Sequence, residues 1–257
     1  MPEIKSLVRN AALWPAQLLF PPTCGGCRRI VSQPGTLCGA CWRGLRFLER
    51  PWCEVLGIPF SHEMGAGIVS ADAIANPPPF DRARAAVAHS GVAKQMVHRL
   101  KYADRTDLAP WMARWMVRAG EELIADADAI VPVPLHPRRF LSRRFNQSAE
   151  LARWVARLSQ CRFDPTLVSR VKPTQQQVGL GARQRQDNVR GAFRIAPEAE
   201  INISGRKLLV VDDVYTTGAT VAAVSKALRK AGAARIDVLT FSRVLPGDFR
   251  DEELATI

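Results

Sequence analysis

Residues 208–220 read LLVVDDVYTTGAT, so two adjacent carboxylates, Asp212 and Asp213, follow four apolar residues and precede a run of small and hydroxylated ones. The apolar run is a buried-strand core, and in open α/β sheets ligands sit beyond the carboxyl ends of the strands. Paired carboxylates there accept hydrogen bonds from sugar hydroxyls and attract a hard divalent cation, which prefers oxygen ligands. The following residues open a helix. Its unpaired amides, its dipole and the hydroxyls of Thr216, Thr217 and Thr220 make a cup for a phosphate monoester, and Gly218 lets the backbone approach closely. Each half alone has a rival use: Asp-Asp pairs end strands in phospho-acceptor receiver domains, and Thr-Thr-Gly serves as a plain helix N-cap. Together, between a strand and an amphipathic helix, they are far more specific. The chain has no GxxxxGK loop, and no GxGxxG follows a strand.

Cysteines supply the second candidate chemistry. Cys24-x-x-Cys27, ten intervening residues and Cys38-x-x-Cys41 have the spacing of two knuckles facing one tetrahedral ion. Soft thiolates select zinc among the common cytoplasmic ions; an iron–sulfur centre or metal-free thiols are the rival readings. A disulfide scaffold belongs to short secreted chains, which this is not. Cys161 is expected to pack at a helix end or in nearby core.

The formal charge is +12, and between Arg138 and Arg194 thirteen Lys and Arg residues face three acids. Such a stretch implies an anionic partner, a polyphosphate, a nucleic acid or both, against the alternative of a solvated basic surface. Lys94, His98 and Lys101 share one helix face, where they line the site, bind nucleic acid or meet solvent. His62 and His89 have no spacing that argues for catalysis or metal.

These residues need elements to hold them. Asn76-Pro77-Pro78-Pro79 reads as a stiff linker that divides a cysteine-rich part, 1–76, from a part at 80–246, with a tail at 247–257. After the linker, β-like and helical segments alternate: strands near 84–89, 129–134, 207–211 and 235–241, and helices with apolar stripes at Val92–Leu100, Leu108–Leu123, Leu151–Leu158 and Val221–Ala231. Gly232 ends the last of these helices. Such alternation gives a mostly parallel sheet covered on both faces. No internal repeat is apparent. Residues 1–22 loosely imitate a signal peptide, but Pro15 interrupts the apolar run and no cleavage site follows; no stretch reaches the eighteen or so apolar residues that span a bilayer. A cytoplasmic chain without a membrane partner is expected.

With these motifs in hand, the 208–220 segment resembles the phosphoribosyl pyrophosphate (PRPP) motif of type I phosphoribosyltransferases. From Cys24 to about Leu245 the chain resembles the ComF family of competence-associated proteins. The carrying segments are CGGC, CGAC, RLKYADRTDLA at 99–109, VPVPLHPRRFLSRRFNQSAELA at 131–152, RQRQDNVRGAF at 183–193 and the DDVYTTGAT loop. The resemblance implies an α/β phosphoribosyltransferase fold behind a zinc-ribbon-like module, with Asp212 and Asp213 at the ribose and magnesium. It also implies Tyr215, Thr216, Thr217, Gly218, Ala219 and Thr220 at the 5′-phosphate, and His136, Arg138 and Arg139 at the pyrophosphate, where arginine forks suit phosphate oxygens. Residues 170–185, with Lys172 and Arg183, resemble the mobile loop that closes over PRPP, against an ordinary surface connection. Arg143, Arg144 and Lys101 are the candidates for gripping single-stranded DNA, with a DNA-uptake helicase as a further partner. The rival function is a metabolic phosphoribosyltransferase acting on a nucleobase or other nitrogen acceptor. ComF relatives often carry a further CxxC pair; here Cys53-x-x-Leu56 breaks it, which argues against a second complete metal site.

Overall fold

The computed structural model describes residues 21–102, 105–136, 145–172 and 182–245. Two short helices, α1 (Gly39–Arg43) and α2 (Ala71–Ala75), belong to the N-terminal part. The larger part runs β1 (Arg82–Ala88), α3 (Gly91–Tyr102), α4 (Ala109–Ala119), α5 (Glu121–Asp126), β2 (Ala129–Pro132) and α6 (Gln147–Ser159). It continues through β3 (Ser169–Arg170), α7 (Ala182–Val189), β4 (Phe193–Arg194), α8 (Pro197–Glu200), β5 (Lys207–Tyr215), α9 (Ala219–Lys230) and β6 (Arg235–Arg243). Four strands form one parallel sheet in the order β1-β6-β5-β2, while β3 and β4 make a small antiparallel ribbon.

Alternation along β5 explains the two-sided core. Leu208 and Val210 face one apolar cluster with Val221, Val224 and Leu228 of α9, whereas Leu209 and Val211 face another with α3, α4 and α6. A sheet buried on both faces needs strands that are apolar at every position, which is what the segments at 129–133 and 208–211 supply. No helix among the described residues is long and apolar enough to cross a membrane.

Three expectations are corrected. The stripe from Leu108 to Leu123 is two helices, because the chain turns at Gly120; a Cβ there would lie 2.8 Å from Leu239 of β6, so glycine is needed where α4 and α5 meet the sheet. Leu158, placed on the buried stripe of α6, is 40% exposed, since only the earlier turns pack on the sheet. A repeat is also present in the N-terminal part. Thr23 bridges Ile30 and Trp52 bridges Pro59; Cys24 N donates to Arg29 O and Cys53 N to Ile58 O; Arg28 N donates to Cys24 O and Gly57 N to Cys53 O. Arg28 and Gly57 both take positive φ, at 68° and 64°. A five-residue helix then follows each knuckle. The second copy has lost three of the four cysteines that would announce it.

Candidate functional site

Asp212 and Asp213 lie on β5 itself, which extends through Tyr215 instead of ending at Val211. The extension follows β6, which continues alongside: Asp212 is opposite Thr240, Val214 opposite Ser242 and Tyr215 opposite Arg243. Both carboxylates are buried. Asp212 Oδ1 accepts from Ser148 Oγ at 2.7 Å and from the Asp213 amide at 2.9 Å. Asp213 Oδ2 pairs with Lys101 Nζ at 2.6 Å. Burial, and then the charge of Asp213, push Asp212 up to about 7, with Ser148 and Lys101 pulling the other way. Two buried carboxylates against one lysine make a place that a divalent cation or the hydroxyls of a sugar would relieve.

The phosphate cup follows directly. Tyr215 is buried, with the Arg243 guanidinium 4.0 Å from its ring centroid and the Phe80 ring edge-on at 6.3 Å. Gly218 takes φ 76°, and a Cβ on it would lie 2.3 Å from the Tyr215 hydroxyl, so the loop closes only over glycine. Gly218 is also the N-cap of α9 and offers no side chain to the first turn. Thr217 Oγ1 is buried with no hydrogen-bond partner among the described residues. An orphaned hydroxyl at a helix N-terminus fits a bound phosphate oxygen.

Of the basic residues expected here, Arg138, Arg139, Arg143 and Arg144 lie outside the described residues, as do most of the loop at 170–185, the side chain of Arg183 and the segments 1–20 and 246–257. The ends of the basic loop are nonetheless fixed beside the carboxylates. Val133 N donates to Val211 O at 2.9 Å, Asn146 Nδ2 donates to Val133 O at 3.1 Å, and Ser148 reaches Asp212. His136, the last described residue before that loop, is half-buried. Lys172 is exposed, its Nζ 3.5 Å from Arg190 O. Lys101, weighed above as a nucleic-acid contact, is drawn into the carboxylate pair. Lys94 is exposed on the same helix, and the His98 ring lies tilted against that of Tyr102, with centroids 4.8 Å apart.

Sequence reasoning missed two residues. Ser148 stands in the first turn of α6, after Asn146, whose side chain caps its amide at 3.1 Å; a capped serine reads as helix start, and only the fold reveals that it faces Asp212. Arg243 ends β6 as a buried cation, donates to Leu56 O and lies over Tyr215. The strand already carries Arg235, Asp237, Thr240 and Ser242, so nothing in the sequence singles out Arg243.

At the cysteine cluster the four sulfurs of Cys24, Cys27, Cys38 and Cys41 lie within 4.8 Å of one another, with Cys27 and Cys38 at 3.6 Å. Tetrahedral zinc thiolates stand about 3.8 Å apart, so the set fits one ion. A Cβ on Gly26 would lie 2.7 Å from Cys41 Sγ, and Cys24 Sγ accepts from the amides of Gly26 and Cys38 at 3.4 and 3.2 Å, as knuckle thiolates do. Arg99 of α3 donates to the carbonyls of Cys24 and Gly25, which ties this cluster to the helix that carries Lys101.

Comparison with known proteins agrees with both halves. The double zinc ribbon domain matches residues 16–72 and the phosphoribosyl transferase domain residues 147–255. The chain is 31% identical over 237 residues to the DNA utilization protein YhgH of Escherichia coli K12, covering 89% of this chain and 100% of that one. It is 32% identical over 157 residues to competence protein F of Haemophilus influenzae, covering 58% of this chain and 66% of that protein. It is also 32% identical over 114 residues to competence protein ComFC of Streptococcus pneumoniae, covering 44% and 46%.

Proposed function

This chain belongs to the ComF family, that of YhgH and competence protein F, and from that premise we propose that it binds PRPP with magnesium at Asp212, Asp213 and the 215–220 loop. The observation that carries the reading is the buried, underneutralised carboxylate pair leading straight into a glycine-closed helix N-terminus whose Thr217 hydroxyl has no partner among the described residues. Asp212 and Asp213 would accept from the ribose hydroxyls and hold the magnesium shell, where the metal would supply charge neutralisation for the pyrophosphate. The amides of Ala219 and Thr220 and the hydroxyls of Thr216 and Thr217 would take the 5′-phosphate. His136, Arg138 and Arg139, on a loop whose ends are pinned beside Asp212, would face the pyrophosphate, and Lys172 and Arg183 would join them in holding PRPP.

The names DNA utilization protein and competence protein support a role in work on DNA; in this reading the chain acts in the cytoplasm, single-stranded DNA would lie along Arg143 and Arg144, and a DNA-uptake helicase would be its partner. The module at 1–76 would be the zinc-bearing half and 80–246 the PRPP-bearing half. A metabolic phosphoribosyltransferase without a DNA role is the rival, and PRPP-dependent pyrophosphate release with nucleobases, but not with DNA, would favour it.

Ligand binding stabilises the folded state by mass action, by about 2.7 kcal/mol at a hundredfold excess over Kd, and so raises the unfolding temperature. A thermal shift with PRPP that requires magnesium is the expected result. No shift with both present would overturn the proposal.

A further inference from the structure

The repeat in the N-terminal part assigns a counterpart to every zinc ligand. Cys24 and Cys53 open the two knuckles, and Cys27 and Leu56 stand three residues on. Cys38 and Ser70 are the N-caps of α1 and α2, and Cys41 and Ala73 are the third residues of those helices. The hydrogen bonds match as well. Cys24 Sγ accepts from the Cys38 amide at 3.2 Å, and Cys53 Sγ accepts from the Ser70 amide at 3.2 Å. Cys53 Sγ takes a further amide bond from Leu56 at 3.3 Å, where Cys24 takes one from Gly26 at 3.4 Å.

The contents of the two centres differ. Cys53, Leu56 and Ala73 are buried and belong to one apolar cluster with Phe80, Tyr215 and Ala219, and Ser70 Oγ is spent on capping the Ala73 amide at 3.4 Å. One thiol, one hydroxyl and two hydrocarbon side chains do not make a tetrahedral zinc site. We infer that residues 52–75 are a second ribbon that has exchanged its metal for an apolar plug around Cys53, so that a domain of the double zinc ribbon family here holds a single zinc.

The plug has a structural consequence that a metal site would not share. The first ribbon packs through Gly25 against Leu108 and through Gly26 against Val92, on the α3 side of the sheet. The second is continuous with the core beneath the phosphate loop. Gly57 comes so close to Ala83 O that no Cβ fits, and Leu56 O accepts from Arg243, the cation that covers Tyr215. Oxygen and chelators that strip a thiolate site leave hydrocarbon contacts alone, so the half of the module that touches the loop does not depend on metal.

Elemental analysis of the full chain, purified without chelator, tests this independently of what the carboxylate site binds. The expected content is one zinc per chain in the wild type, one in Cys53→Ser and none in Cys24→Ser. Leu56→Cys, Ser70→Cys and Ala73→Cys together, which restore the four ligand positions on a backbone already shaped for them, are expected to raise the content to two. Cobalt loading should show the thiolate charge-transfer band doubling in step. Two zinc ions in the wild type, loss of zinc in Cys53→Ser, or a folded triple variant that stays at one would overturn the inference. Should the triple variant fail to fold, the wild type and Cys53→Ser decide the matter.

Discussion

Asp212 sits in the fold at a cost. Its carboxyl is buried beside Asp213, and its pKa rises to about 7 from an unfolded value near 4. Below about pH 4 both states hold the proton and the residue is neutral to stability; between about 4 and 7 the unfolded chain releases it while the native chain keeps it, so stability falls with rising pH and levels off above 7. Asp212→Asn keeps the Oδ1 acceptor for Ser148 and the Asp213 amide but removes the charge. It should therefore raise the melting temperature at pH 8, by about 2–4 °C for each kcal/mol relieved, and leave it unchanged near pH 4. Calorimetric melting at the two pH values checks this; a gain of equal size at both, or a loss at pH 8, would count against the reading. The carboxylates and Gly218 were legible in the sequence because strand, acid pair and glycine turn are contiguous. Ser148 and the Lys101 pairing were not, since each reaches β5 from a helix distant in sequence.

The elements show why the motif sits where it does. The strand cores at 129–134 and 208–211 were readable as apolar runs and the one at 235–241 as a weak alternation, but the end of β5 was not: its last four residues include two acids, and only the presence of β6 beside them keeps them in the sheet. Likewise, Gly120 divides a stripe of uninterrupted helical period, because the conflict is with Leu239, far along the chain. The turn into α9 gives the sharpest prediction at this scale. Gly218→Ala forces a left-handed φ on a residue with a Cβ and drives that Cβ into the Tyr215 ring, a cost of about 1–3 kcal/mol from the backbone alone. PRPP affinity should fall at least tenfold while zinc content stays the same. Titration of the folded variant with PRPP and magnesium measures this, and unchanged affinity would show that the turn does not shape the phosphate site.

Across the whole molecule, charge and metal divide the work. The excess of positive charge lies in the stretch from Arg138 to Arg194, whose first loop is anchored next to the carboxylates. Single-stranded DNA bound there should compete with PRPP and weaken steeply with salt, roughly 300-fold between about 50 and 200 mM if about six phosphates are neutralised. Arg143→Glu with Arg144→Glu should weaken it further; labelled-oligonucleotide titrations that show no binding even at low salt would confine the basic stretch to the small ligand or to solubility. The zinc cluster was legible from spacing, whereas the repeat behind it was not, because a ribbon without its cysteines leaves little pattern in sequence. Arg99 joins the zinc knuckle to the helix that delivers Lys101, so loss of zinc in Cys24→Ser should loosen that helix and reduce, without abolishing, affinity at the carboxylates. Both halves of the molecule converge on Asp212 and Asp213, and isothermal calorimetry of PRPP with magnesium on the wild type and on the Asp212→Asn, Asp213→Asn double variant addresses them directly. Saturable binding by the wild type and none by a double variant with an intact melting transition is the expected outcome; equal affinity in the two folded proteins would show that PRPP, if it binds, binds elsewhere.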